Sequence, residues 1–295
     1  MGYLLLLAAL FAGLFKGYVG KRTSFSVQSF SDGIFVNMIR CLICSIIGFA
    51  VVICQNGFEG FRISTSEFVI CLMSAVFSAI FCVSWLYAYK NEAYMFLSIF
   101  TMMGTVLTCL LDTIFYNVNI SINQWLGMAL LLLAVFIMSV YNKGIKGKLT
   151  LKGLAILVIG SLGSALADFS QKVYTREIGK SAEIFNFYMY AFSLVLLVVI
   201  YIFLKYKKTP KTSHLIYDKK HIFIYFTMAF FLYMNSVSKT MAASFLSSAQ
   251  IYPVLQGANL ILSAVMAHTL FKEKMNLKGL IGISIAFAGL MVMHM

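Results

Sequence analysis

The sequence predicts an all-α integral membrane protein with ten transmembrane helices, arranged as two inverted five-helix repeats. Three observations predict it. Of 295 residues, 61% are hydrophobic and only 11% are charged, whereas a soluble domain is about one quarter charged. Apolar runs of membrane-spanning length recur along the whole chain. The second half of the chain also echoes the first, in the same order.

The runs lie at about 3–20, 33–54, 68–89, 93–115, 125–141, 151–174, 182–204, 221–243, 245–271 and 278–294. At 1.5 Å per residue each is long enough to cross roughly 30 Å of hydrocarbon as a helix. Backbone groups in hydrocarbon must be satisfied within the segment, which selects helices over open strands. The alternation of a membrane β-barrel is absent. The first run passes directly into GYVGKRTS, with no positively charged start and no small-residue cleavage site, so it is expected to be a retained helix. The longest connection, about 205–220, is mostly Lys and polar residues, and no soluble domain is expected.

The six cysteines (Cys41, Cys44, Cys54, Cys71, Cys82 and Cys109) lie in or beside apolar runs. They read as small polarizable packing residues, and no metal site or cofactor is expected. The net charge of +13 could suggest nucleic acid, but its distribution points to a membrane. Connections after the odd-numbered runs carry sixteen basic residues: Lys21, Arg22, Lys90, Lys143, Lys146, Lys148, Lys152, Lys205, Lys207, Lys208, Lys211, Lys219, Lys220, Lys272, Lys274 and Lys278. Those after the even-numbered runs, with the adjoining helix ends, carry five: Arg62, Lys172, Arg176, Lys180 and Lys239. Basic residues stay cytoplasmic. The bias therefore predicts both termini outside the cytoplasm, with contacts to anionic lipid and no nucleic-acid partner.

Internal similarity sets the repeat. FLSIFTMMGTVL at 96–107 is echoed by FLSSAQIYPVLQ at 245–256, and LGMALLLLAVFIM at 126–138 by IGISIAFAGLMVM at 281–293. GLFKGYVGKR at 13–22 can be set against SALADFSQKV at 164–173. The halves are then 1–146 and 147–295. Five helices per half, an odd number, insert the second copy upside down. Inverted repeats with a midplane binding site are a signature of secondary transporters.

This arrangement resembles the drug/metabolite transporter (DMT) superfamily, EamA type. The second half carries the resemblance most closely, with IYPVL at 251–255, FKEKM at 271–275 and LKGLIGISIAFAGLMVM at 277–293. The first half departs from the family pattern. Gly104 stands where the proline would be, and FYNVN at 115–119 replaces the acidic turn. The resemblance implies a transporter fold whose cavity is lined by helices one, three, four, six, eight and nine. Many members of that family are thought to keep both termini inside; the charge bias predicts the opposite here.

Ionisable side chains inside apolar runs cost several kcal/mol, about 2.5–3.5 on insertion scales, unless they face a polar interior. Six are in play: Lys16, Arg40, Asp112, Asp168, Lys239 and His268. Asp168 shares a helix face with Ser164 and Gln171, beside small residues. It reads either as a cavity group or as an i, i+4 partner of Lys172. Asp112 reads either as a cavity group or as an interfacial cap. Both Asp168 and Asp112 are candidates to exchange a proton, because burial disfavours a charged carboxylate. Lys16, among Gly13, Gly17 and Gly20, has the length to snorkel to the interface. Arg40 is expected to pair with a neighbouring carbonyl and His268 to be structural.

The chain has two prolines, and Pro253 sits inside the ninth run. It removes a backbone hydrogen bond, so a helix break is expected there, with the carbonyl of Ala249 freed. Tyr252, Gln256 and Asn259 follow one face beside it, supplying neutral donors and acceptors; the alternative is interhelical glue. Trp85 and Tyr89 on the third run, and Tyr233 and Asn235 on the eighth, are expected to complete a substrate pocket. Interface anchoring is the other role open to Trp85 and Tyr89.

These features predict a secondary active transporter in the cell membrane. Its substrate is a small polar metabolite (amino-acid-, amine- or nucleoside-like). It would act by alternating access as a monomer, one five-helix bundle rocking against the other, with protons as a possible coupling ion. The sequence contains no nucleotide-binding P-loop, no HExxH and only four His, so no catalytic residues are assigned. The other reading is a non-transporting receptor or scaffold that binds a small ligand.

Overall fold

The computed structural model describes residues 1–24, 27, 29–90, 94–140, 151–206, 219–270 and 277–293. They form ten α-helices: α1 (Gly2–Ser24), α2 (Phe30–Asn56), α3 (Thr65–Lys90), α4 (Tyr94–Tyr116), α5 (Ile122–Val140), α6 (Leu151–Val173), α7 (Ala182–Tyr206), α8 (Lys219–Ala243), α9 (Ser248–Leu270) and α10 (Leu277–Met293). A 3₁₀ turn, Gly57–Phe61, follows α2, and a π-helical turn, Tyr174–Ile178, extends α6. Among the described residues, four segments are long and apolar enough to cross a bilayer by length and composition: Gly2–Gly20, Phe30–Phe61, Thr65–Ser84 and Ala182–Tyr206.

The surface is inverted relative to a water-soluble protein. Leu4, Ile46, Phe136, Val199 and Phe287 are exposed, while Asp32, Arg40, Glu67, Asp112, Asp168 and Glu183 are buried. Hydrocarbon is the solvent that tolerates this outside and requires the polar groups within.

Helix starts are fixed by short polar signals. Ser29 and Asp32 cap α2 reciprocally, the Asp32 N–H donating to Ser29 Oγ (3.1 Å) and the Ser29 N–H to Asp32 Oδ2 (2.8 Å). Ser64 with Glu67 does the same for α3, and Ser121 with Gln124 for α5. At α9 the Ser247 N–H donates to Gln250 Oε1 (3.0 Å). Each is the Ser-x-x-acid/amide pattern that satisfies N–H groups otherwise orphaned at a helix start, worth about 1 kcal/mol per cap.

The helices sort into two groups with a seam between them. One apolar core joins α2, α3, α7 and α8, around Cys44, Ala79, Phe185 and Ala229. A second joins α4, α5, α9 and α10, around Cys109, Leu131, Ala249 and Ala286. Helix α1 packs on α8 and α9, and α6 packs on α3 and α4, so these two helices bridge the groups. This corrects the expectation of one five-helix bundle against another. Each group takes two helices from each half of the chain, because the faces of α2 and α7, α4 and α9, and α5 and α10 are buried against each other.

Adding five to each helix number, wrapping after ten, reproduces this packing. The α1–α8 contact becomes α6–α3, α1–α9 becomes α6–α4, and α3–α7 becomes α8–α2. Helices α5 and α10 approach closely at Gly127 and Gly289. A Cβ built on Gly127 would lie 2.0 Å from Met293 Cγ and 2.7 Å from the Gly289 carbonyl oxygen, so only hydrogen fits. Such small-residue contacts let helices meet in the absence of a hydrophobic driving force.

Gly2 lies against Leu246, Asp112 reaches Ser248, and Lys180 pairs with Glu67 at 2.8 Å. The start of α1, the start of α3, the end of α4, the α6–α7 connection and the α8–α9 turn therefore share one end of the molecule.

Candidate functional site

The seam is where the polar groups collect. Asp168 on α6 is ion-paired with Lys239 on α8 at 2.5 Å. Its backbone carbonyl accepts from the Tyr252 hydroxyl on α9 (2.7 Å), and the Lys239 ammonium lies 5.7 Å from the centre of the Tyr252 ring. Three helices thus meet on one acid, one base and one aromatic. The i, i+4 alternative, Asp168 with Lys172, is not what forms. Lys172 Nζ turns to the α8–α9 turn and donates to the carbonyls of Ala243 and Leu246, each at 2.6 Å.

Asn235 and Asn259 converge from α8 and α9 on α1. Asn235 Nδ2 donates to the Ala9 carbonyl (2.6 Å). A Cβ at Gly13 would lie 3.2 Å from Asn235 Nδ2 and 3.4 Å from Asn259 Oδ1. The missing side chain at Gly13 makes room for both amides. Gln256, one turn before Asn259, is half-buried and forms no hydrogen bond to a described residue. Lys16 stands one turn beyond Gly13 on α1. Arg40 is buried and donates to Asn37 Oδ1, the side-chain amide carbonyl one turn earlier, at 2.7 Å.

Other expected members stand elsewhere. Tyr233 does not join Asn235, because two residues on a helix are about 200° apart. It is buried against Tyr190, with ring centroids 6.3 Å apart, inside the α2–α3–α7–α8 core. Asp112 serves the turn: Oδ2 accepts from the Ser248 N–H (3.3 Å) at the start of α9. There, Asp112 at a helix N-terminus and Lys172 at a helix C-terminus each match the local dipole. Helix α9 continues through Pro253 as a single helix, which corrects the expected break. The proline falls in the second turn, where it costs one intrahelical bond, that to Ala249. Trp85, Tyr89 and His268 lie on α3 and α9, and their side chains fall outside the described residues.

A polar chain that the sequence reading missed backs the site. Gln171 Nε2 on α6 donates to Thr240 Oγ1 on α8. The same oxygen receives Asn186 Nδ2 from α7 (2.9 Å), and Ser236 Oγ donates to Asn186 Oδ1 at 2.5 Å. Asn186, the one amide within the apolar α7, was the available signal. Hydrogen-bond chains of this kind rigidify a low-dielectric interior.

Ten helices packed on a polar seam, apolar outside and charged within, define a helical membrane protein. The sequence profile described as the EamA-like transporter family matches residues 1–140 and 151–295. The chain belongs to that family, whose members are transporters rather than enzymes. No curated protein matches it significantly. Among solved structures, one titled "Crystal structure of protein" is similar with a TM-score of 0.78 and 10% identity, over 99% of this chain and 95% of that one. At that identity the likeness is one of fold alone.

Proposed function

We propose that the protein is a monomeric secondary active transporter of a small polar metabolite (amino-acid-, amine- or nucleoside-like) in the cytoplasmic membrane. All ten helices cross the bilayer as two inverted repeats, 1–146 and 147–295. The reading is supported by the packing that recurs on a five-helix shift and by the two stretches the family profile matches. The sixteen-to-five basic bias favours both termini outside.

The observation that carries the proposal is the Asp168–Lys239–Tyr252 contact. Helix α8 belongs to one group, α9 to the other, and α6 bridges them. A motion of the groups about the seam breaks and remakes this contact, giving two arrangements that a substrate can bias. Asn235, Gln256 and Asn259 supply neutral hydrogen-bonding groups beside it. Asp168 is the proton carrier, since Asp112 is engaged at the turn.

The experiment is substrate counterflow in proteoliposomes as a function of pH. The pH response is expected to vanish in Asp168→Asn and to persist in Asp112→Asn. An unchanged response in both variants removes proton coupling. Binding with no exchange of any solute leaves a receptor.

A further inference from the structure

Resting on that reading of the chain as a transporter, we infer that the structure holds one of two alternating states. The path to the seam is open between α1 and α9 beyond Gly13 and shut between α6 and α4. The internal repeat supplies two copies of one interface in a single molecule. Setting 13–22 against 164–173 pairs Gly17 with Asp168 and Tyr18 with Phe169, and the five-helix shift pairs α1–α9 with α6–α4. The α6–α4 copy is closed along its length. A Cβ at Gly104 on α4 would lie 2.9 Å from the Ser161 carbonyl oxygen and 3.6 Å from Ala165 Cβ. One turn on, the Thr108 hydroxyl donates to the Ala165 carbonyl at 3.1 Å. Phe169 then meets Phe115 and Tyr116, with ring centroids 5.6 and 6.3 Å apart, and the Arg176 guanidinium lies 4.3 Å from the centre of the Tyr116 ring. Asp168 and Lys172 extend this seal from α6 to α8 and the α8–α9 turn.

The α1–α9 copy starts packed and then parts. Leu6 and Ala9 share an apolar core with Ile251, Tyr252 and Leu255, and at Gly13 the amides of Asn235 and Asn259 still touch α1. One turn further on the same face of α1, a Cβ at Gly17 would meet nothing within 4 Å among the described residues. Its counterpart Asp168 is buried. Helix α1 has not left α8 at this level, since Phe15 stacks on Phe231 with ring centroids 4.9 Å apart. The gap therefore opens toward α9, on the side of Gly13 away from the α8–α9 turn. The amides of Asn235 and Asn259 at its head suit water rather than acyl chains. The second state follows by exchanging the two copies, as inverted repeats permit. Helix α1 closes on α9 at Gly17 while α6 withdraws from α4 at Phe169, and the seam then faces the opposite end.

The test uses the full chain with Cys54, an exposed thiol, changed to Ser. In nanodiscs, which leave both faces accessible, Gly17→Cys and Ala165→Cys are each treated with a charged methanethiosulfonate. Ala165 is 1% exposed, and Gly17→Cys is expected to react about tenfold faster or more, in excess of the Cys54→Ser parent. Gly17→Trp fills the gap. It is expected to keep the parent's unfolding temperature and to cut counterflow of serine, putrescine or uridine in proteoliposomes about tenfold, because α1 no longer closes on α9. Equal reactivity of the two thiols, or undiminished counterflow in Gly17→Trp, overturns the inference. Should Gly17→Trp not fold, the ratio of the two labelling rates decides. Fast labelling of Gly17→Cys in a parent that exchanges none of the three solutes keeps the opening and removes the alternation. Counterflow in the parent with an unreactive Gly17→Cys removes the opening and keeps the transporter.

Discussion

The Tyr252 hydroxyl donates to the backbone carbonyl of Asp168 over 2.7 Å, tying α9 to α6 one turn from the α8–α9 connection. Tyr252 is only 2% exposed, so the phenol has no water to fall back on. Tyr252→Phe keeps the ring under Lys239 and removes one bond. It is expected to cost about 0.5–1.5 kcal/mol, read as a small drop in unfolding temperature in detergent. A loss as large as that of Tyr252→Ala would mean that the ring, and not the hydroxyl, carries nothing of the contact.

Lys239→Met strands Asp168 in the seam. Breaking a buried pair from one side costs about 3–5 kcal/mol, and the lower end applies here because the Lys239 side chain is 23% exposed. The double variant Lys239→Met with Asp168→Asn removes both charges and is expected to recover most of the lost stability. Thermal unfolding of the two single variants and the double variant gives the coupling directly; additive losses would show that the pair is not a unit.

Lys172 holds the last carbonyl of α8, at Ala243, and that of Leu246 in the α8–α9 turn. Lys172→Met is expected to cost about 1.5–3 kcal/mol, the range for hydrogen bonds to a charged group. The loss should be local: faster amide hydrogen exchange over 243–250, with little change in α2 or α7. Uniform acceleration would assign Lys172 to global stability instead.

Glu59 is exposed in the turn after α2, at the end of the molecule that holds the start of α1. With both termini outside, Glu59→Cys in intact cells is expected to react with a membrane-impermeant maleimide added to the medium. Labelling only after the cells are opened would reverse the orientation.

The order and extent of the helices were legible because hydrocarbon imposes a length and a composition on anything that crosses it. Four capping pairs, such as Ser64 with Glu67, went unread in the sequence, although they depend on a fixed three-residue spacing. The face shared by Asn235 and Lys239 follows from helical period. What a period cannot give is the partner on another helix. Asp168 had Lys172 one turn away in sequence and Lys239 across the seam, and local spacing could not rank them. Asp112 could be read as a cap or as a cavity group, and the helix start that it bonds lies 136 residues further along the chain.

By itself the sequence determined a multi-helix membrane chain, its internal echo and the polar residues that hydrocarbon will not solvate. The tertiary structure decided which of those residues meet. It drew α2 to α7 and α5 to α10 across the halves, left α1 and α6 to span the seam, and gave Lys239 to Asp168 and Lys172 to the turn. The physical reason is range. Solvent transfer acts on each segment separately, whereas a buried charge is settled by whichever opposite group packing brings within a few ångströms.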